Sequence, residues 1–544
     1  MKKVLILILA LVLFHHLFYE IYPFIYGSAA NLEELPLIYK LMGFADYSKD
    51  EYVLGHFIKF TQVTPYISGI TLLAKLFHCK DLVVLFYILH LLTIILMYFA
   101  IRRICKQLGH TSETQVIFSI ISLLLLIKVI NVIPNQRNLL HDYLDPELVI
   151  QPLMFFIIAA HLEKKYLECC LYLVIGTIIH PLYIILLLPG LFGSFIFRFI
   201  KKELSFLGFI KYGSAYFVIV ISYSLFLLIQ SNKASVGEID ASLVEEIIRG
   251  PHHFKIPTLF YFDKTTIYFY IYSFLLSIIS YFLYIRNKNI ESKLKTNFLD
   301  LSFINYFIFI FLIVATIIAT FKRIPLLVEL TPYRAGLASV VITWIVFISS
   351  LTNKINLKTE ILDNVDFMII VFGMLIFFGL SLFRLTNKEQ IIEKFPERKE
   401  FITWLTKNTK SDDLFLNYTD VDIRTKAFRS DYYRYQTGGI TTDLHLSWYK
   451  KFGIYFDIPE TIKPNQYQKM IDYARSKHTI NLSRVLSKSK EPINYVLILK
   501  AKRSFSPVEE FMGVKNKNYS YNTSGLIKVF ENKEYLVVTA ATSH

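Results

Sequence analysis

The chain has 544 residues, 54% of them hydrophobic and 19% charged, with a mean hydropathy of +0.45. That balance excludes an ordinary soluble globular protein and points to the bilayer as solvent. A formal charge of +15 does not indicate a nucleic-acid partner, because the basic residues sit mainly in short connectors between apolar stretches, where orientation signals belong.

The N-terminus opens with Lys2 and Lys3 before an apolar run. A signal peptide with Gly27-Ser28-Ala29 as cleavage context is one reading. The run carries His15, His16 and Glu20, is rich in aromatics and precedes many more spans, so it reads as a retained first helix. Expected spans lie at 4–24, 82–101, 115–133, 148–162, 167–180, 181–198, 211–230, 266–285, 302–320, 335–350 and 366–384. That is a bundle of about eleven helices, several shorter than the ~20 residues of a straight crossing. His180-Pro181 marks either a broken helix or two short ones. The apolar stretch 57–77 contains Lys59, Pro65 and Lys75 and reads as helices lying at the membrane surface. Cys79, Cys105, Cys169 and Cys170 lack CxxC spacing and lie in or beside apolar segments, which argues against a disulfide framework or zinc site.

With Lys2 and Lys3 placed in the cytoplasm, every connector on that side is basic, including Arg102 to Lys106, Lys164-Lys165, Arg198 to Lys202 and Arg286 to Lys295. The expected location is therefore a cell membrane, multi-pass, with the N-terminus cytoplasmic and the C-terminal domain extracytoplasmic. Two domains are expected: a polytopic one over 1–384 and a soluble extracytoplasmic α/β domain over 385–544.

The outer connectors hold the candidate chemistry. Glu20, inside apolar sequence, is costly there and so a functional candidate. Glu34 and Asp50 lie in the acidic first outer loop, where a carboxylate can act as general base or hold a metal, or simply be solvated. The second outer loop, His141-Asp142-Tyr143-Leu144-Asp145-Pro146-Glu147, packs three carboxylates and a histidine. Asp142 and Asp145 suit acid–base or metal work, although Asp-Pro is also ordinary helix-start chemistry. Arg249-Gly250-Pro251-His252-His253 offers Arg249, His252 and His253 as a pocket for a phosphate, or else a structural turn. Arg334, in Pro332-Tyr333-Arg334, stands where a helix begins, suited to anion binding or to snorkelling. His180 and Lys128 lie within apolar runs, and a broken helix of that kind can line a transport site.

Beyond 385 the pattern becomes polar and mixed. Residues 396–408 read as a helix, Asp412-Asp413 as a turn into a strand from Leu414, Tyr495 to Leu499 as a strand, and 526–530 with 535–539 as a hairpin. Arg424, Arg429 and Arg434 form a basic stretch that reads either as an approach to phosphates or as solvated surface. Asn417, Asn518 and Asn522 match a glycosylation pattern.

This layout resembles the multi-spanning glycosyltransferases that use lipid-linked sugars, the GT-C type. The chain is more closely similar to a bacterial multipass membrane family that carries Asp-x-Tyr-Val, His-Pro, Arg-x-Pro-His-His, Pro-x-Arg and Trp-Leu…Asp-x-Leu-Phe-Leu elements. Here these are Asp50-Glu51-Tyr52-Val53, His180-Pro181, Arg249 to His253, Pro332-Tyr333-Arg334, and Trp404-Leu405 with Asp413 to Leu416. The resemblance implies a polyprenyl-phosphate sugar donor, a carboxylate base among Glu20, Glu34, Asp50, Asp142 and Asp145, and donor-phosphate contacts from Arg249, His252, His253 and Arg334. It also implies, in some members, a divalent cation (Mg or Mn). No Asp-Asp or Glu-x-Asp pair follows the first helix, and the Trp-Trp-Asp signature of oligosaccharyltransferases is absent, so the implied acceptor is a glycan or lipid rather than protein. Two other readings stand beside this one: a transporter or flippase for a lipid-linked or anionic substrate, and a non-catalytic membrane scaffold.

Overall fold

The computed structural model describes residues 31–58, 61, 63–79, 82–109, positions between 116 and 123, 144–231, 235–236, 239–240, 264–285, 290–322, 331–355, 396–419, 421–433, 442–476, 479–500 and 520–540. The spans expected at 4–24 and 366–384, most of 115–133, and Glu20, Lys128, Asp142, Arg249, His252, His253, Arg434 and Asn518 lie outside them.

In chain order the helices are α1 (Asn31–Met42), α2 (Glu51–Ile58), α3 (Thr64–Leu76), α4 (Leu82–Gln107), α5 (Pro146–Leu162), α6 (Tyr166–Ile179), α7 (Pro181–Ile200) and α8 (Phe206–Ser231). A two-residue strand pair, β1 (Ser235–Val236) with β2 (Ile239–Asp240), precedes α9 (Lys264–Ile285), α10 (Ser292–Phe321), a 3-10 turn (Pro332–Ala335) and α11 (Gly336–Ile355). The chain divides into two compact units. One is helical, and the other combines residues 31–79, the described positions of 227–240 (β1 and β2 among them) and those beyond 396.

In the helical unit, six described helices are long and apolar enough to cross a membrane: Val84–Gln107, Pro181–Ile200, Phe206–Leu227, Lys264–Ile285, Ser292–Phe321 and Pro332–Leu351. Pro146–Leu162 and Tyr166–Ile179 are apolar but shorter. Each expected span between 148 and 350 is thus a helix. Residues 57–77, by contrast, break between Ile58 and Thr64 into helices of 8 and 13 residues, both too short to cross.

His180 divides two helices because a residue before proline is driven out of the α region. Its backbone is extended (φ −155°, ψ 88°), and Pro181 then serves as the first residue of α7. The bend is sharp enough that a Cβ on Gly176 would stand 2.8 Å from the Ile184 side chain. Farther along α7, a Cβ on Gly190 would lie 2.9 Å from the Ile304 carbonyl oxygen of α10, so small residues let these helices approach closely. Over residues 336–350 helix α11 is almost wholly buried, whereas α8 and α9 turn Phe217, Val218, Phe274 and Phe282 outward as a lipid-facing periphery should.

The second unit continues with α12 (Pro396–Asn408), β3 (Leu414–Tyr418), α13 (Ile423–Lys426), β4 (Ser430–Asp431), α14 (Thr442–Tyr455), α15 (Tyr467–Ser476), β5 (Thr479–Asn481), α16 (Leu482–Lys488), β6 (Tyr495–Leu499), β7 (Ser520–Asn522), β8 (Leu526–Glu531) and β9 (Tyr535–Ala540). Its main sheet has the order β4-β3-β6-β9-β8. The first three strands are parallel, β9 runs antiparallel to β6, and β8 closes the hairpin.

Alternation along the strands feeds two cores. Leu414, Leu416, Val496, Ile498 and Val538 pack with α14 to α16. Phe415, Leu497, Tyr535 and Val537 pack with Phe401 and Leu405 of α12. The result is a helix–sheet–helix sandwich.

Arg424 and Arg429 are not a solvated or phosphate-facing stretch, since both are buried. Arg429 caps the C-terminal end of α12, donating to the carbonyls of Thr406 (3.1 Å) and Thr409 (2.8 Å), which would otherwise lack helical partners. Asn417 is likewise buried on β3 and donates to the Val421 carbonyl at 2.9 Å, so it is not displayed as a glycan acceptor.

At the edge of the unit, Lys451 Nζ lies 2.9 Å from Glu51 and 3.0 Å from Glu491, and Ser447 donates to Glu51 at 2.6 Å. Burial works to raise the Glu51 pKa, but the Ser447 hydroxyl and the Lys451 charge outweigh it and leave it lowered. Burial works to lower that of Lys451, and the two carboxylates leave it raised. The Glu51 contribution to stability is therefore present above its ordinary value of 4.5 and lost as pH falls through the lowered folded value. The Lys451 contribution is present below 10.5 and lost as pH rises through the raised one. Thermal unfolding of the full chain against pH should fall away on both sides of a plateau. Glu51→Gln should shrink the acid limb, and an unchanged acid limb would count against this linkage.

Candidate functional site

Helix α5 starts on Asp145, whose carboxylate accepts from the Leu148 N–H at 2.7 Å, with Pro146 in the first turn. That cap fixes the next side chain, Glu147, at the mouth of the helix. Helix α7 starts at the His180-Pro181 break and presents Tyr183 in its first turn. Before α11, Thr331 takes a left-handed conformation (φ 42°, ψ 61°) and Pro332 opens the 3-10 turn that delivers Arg334.

These three helix starts converge. Arg334 Nη1 is 3.1 Å from Glu147 Oε1, and the Tyr183 hydroxyl donates to Glu147 Oε2 at 3.2 Å. The Arg334 guanidinium lies over the Tyr183 ring at 5.8 Å, and the His180 ring meets Tyr183 edge-on at 5.0 Å. Tyr333, next to the arginine, is held by the hydroxyls of Tyr270 (2.7 Å) and Thr316. The side chains of Arg334 and Glu147 are only 9% and 14% exposed. A guanidinium so placed, backed by an aromatic face, is suited to reading a phosphate or carboxylate through paired hydrogen bonds.

Of the residues singled out in the sequence, Asp145 caps the helix and Arg334 enters the cluster, while Glu34 and Asp50 belong to the other unit, both buried. The Asp50 carboxylate receives Arg424 Nε at 2.6 Å, Arg424 Nη2 at 3.1 Å, the Asp431 N–H at 3.0 Å and the Val53 N–H at 3.2 Å. Those contacts occupy it as a structural anchor. Glu147 is visible in the sequence only as one of the three carboxylates of the acidic second loop, and Tyr183 carries no sequence signal of its own. Glu147 reads as helix-start acid, and Tyr183 is one of 36 tyrosines.

A second polar cluster lies toward the other ends of α5 and α7. Arg198 donates to Asp300 through Nε (2.7 Å), to the Tyr166 hydroxyl (2.9 Å) and to the His161 carbonyl (2.8 Å). Ser194 donates to Asp300 and lies 2.7 Å from His161 Nε2. Nearby, Arg103 binds Glu163 and Glu168, each at 2.6 Å. Among the described residues no group of three or more His, Cys, Asp or Glu side chains is placed to hold a metal ion.

No family model matches the chain, and no curated protein does. Its architecture is that of a multi-pass α-helical membrane protein with a C-terminal α/β domain.

Proposed function

We propose that this membrane protein is a glycosyltransferase that moves a sugar from a polyprenyl-phosphate donor to a glycan or lipid acceptor on the extracytoplasmic face. The observation that supports this reading is the convergence of Glu147, Tyr183 and Arg334 from three distant segments at the starts of three apolar helices. In the proposed reaction a carboxylate removes the proton from the acceptor hydroxyl as its oxygen attacks the anomeric carbon. The bond from that carbon to the phosphate oxygen breaks, and the electron pair leaves on polyprenyl phosphate. Arg334 meets the charge that develops there. Asp50 is taken up by Arg424 and Asp145 by the helix cap, while Glu147, bound to Arg334 and Tyr183, orients the arginine. The base therefore falls to a carboxylate that the resemblance implies, Glu20 or Asp142. Glu20, Asp142, Arg249, His252 and His253 keep the roles that the sequence resemblance implies.

The test uses the full chain in nanodiscs with a polyprenyl-phosphate hexose, following release of polyprenyl phosphate. Arg334→Ala should lower kcat/KM by about 100-fold, the scale of a lost transition-state donor. Arg334→Lys should recover part of it, and Glu147→Gln should lower kcat more than it alters KM. Turnover that is unchanged in both variants, at unchanged thermal stability, would remove this cluster from the reaction.

A further inference from the structure

Among the described residues of the second unit, the large apolar side chains left exposed are Phe44, Phe57, Leu72, Leu76, Phe77 and Ile527. All but Ile527 fall within residues 44–77, so the α/β sandwich hides its apolar surface and the preceding segment does not. The exposure is greatest at the end of α3, with Leu72 and Leu76 each at 66% and Phe77 at 65%. On the opposite side of the same helix Tyr66, Ile67, Ile70 and Ala74 are buried. Helix α3 therefore has one packed apolar face, and on its other side Ser68 and Gly69 precede a bare apolar end flanked by the exposed Lys75 and His78.

What covers that end follows from the chain. Val84 begins the first described helix able to cross a membrane. The residues between Phe77 and Val84 span no more than about 25 Å even fully extended. The bare end of α3 is thereby tethered to the border of a bilayer. Apolar side chains with lysine beside them are what the boundary between headgroups and acyl chains accepts.

We infer that Leu72, Leu76 and Phe77, with Lys75, seat α3 in the headgroup–acyl boundary of the bilayer that the chain itself spans. Within its own unit the segment 44–77 is tied to the α/β domain by Asp50 on Arg424, Glu51 on Lys451, and just upstream the Tyr39 ring edge-on to Phe428 at 5.2 Å. This inference does not depend on the transferase reading.

Single tryptophans report it. Leu76→Trp and, as an independent variant, Leu72→Trp are placed in the full chain in nanodiscs whose lipids carry bromine either near the headgroup or near the acyl terminus. The unsubstituted chain supplies the background of Trp344, Trp404 and Trp448, and Ile527→Trp serves as an exposed control. Shallow bromine should quench the added emission at positions 72 and 76 about twofold or more, with deep bromine less effective and Ile527→Trp unaffected. Quenching no greater than at position 527 in both variants would overturn the inference. So would a blue shift that grows with the number of chains per disc, which would mark a second copy covering this face.

Discussion

Asp50→Ala is expected to destabilise the α/β unit by about 3–5 kcal/mol, the usual cost of stripping one partner from a buried ion pair. Both side chains are fully withdrawn from water, at 0% and 2% exposure. Burial opposes the Arg424 charge, and the carboxylates of Asp50 and Asp431 outweigh it, holding its pKa above the ordinary arginine range. Without Asp50 the guanidinium keeps its burial and loses its main counter-charge, and the N–H groups of Asp431 and Val53 lose an acceptor. A loss of this size is a large part of the ~5–15 kcal/mol that holds a typical domain together. Unfolding followed through Trp404 and Trp448, which both belong to this unit, measures it directly. Arg424→Ala should give a loss of similar size, and the double replacement should cost clearly less than the sum of the two. That pattern separates an anchor from a base, because a purely catalytic Asp50 would leave stability within about 1 kcal/mol of the parent.

Local pattern made much of the fold legible. The helix at 396–408 and the strands at 495–499, 526–531 and 535–540 follow from alternation and turn chemistry within a few residues, and the apolar helices follow from length and hydropathy. What local pattern does not hold is the identity of a charge's partner. Arg424 and Asp50 are 374 residues apart, one in a run of arginines and the other in an acidic loop, so each alone looks like solvated surface. Arg103 and Arg198 read as orientation signals, yet each is bound to carboxylates within the helical unit. The Arg334 site was half legible: the Pro-x-Arg element and the Asp-Pro-Glu helix start are both visible in sequence. That Glu147, rather than Asp145, faces the arginine depends on the cap, which turns Asp145 back onto its own helix.

The second large effect is expected at Arg198 and Asp300. Both lie within apolar helices, at 1% and 5% side-chain exposure, and together they join α5, α6, α7 and α10 through His161, Tyr166 and Ser194. Asp300→Ala leaves a guanidinium among apolar side chains with its carboxylate gone, and should cost about 3–5 kcal/mol in the detergent-solubilised chain. Ser194→Ala removes a hydroxyl that donates to the Asp300 carboxylate and should cost about 1.5–3 kcal/mol. The informative variant replaces both charges together, Arg198→Met with Asp300→Leu. Well-packed apolar pairs often match the stability of a buried ion pair, so the double variant should recover most of what Asp300→Ala loses. Recovery would mark the network as a tie between helices that hydrophobic packing can replace. A double variant as unstable as Asp300→Ala would instead mean that the His161 and Tyr166 contacts to Arg198 carry the junction, and that close packing at Gly190 leaves no room to refill it.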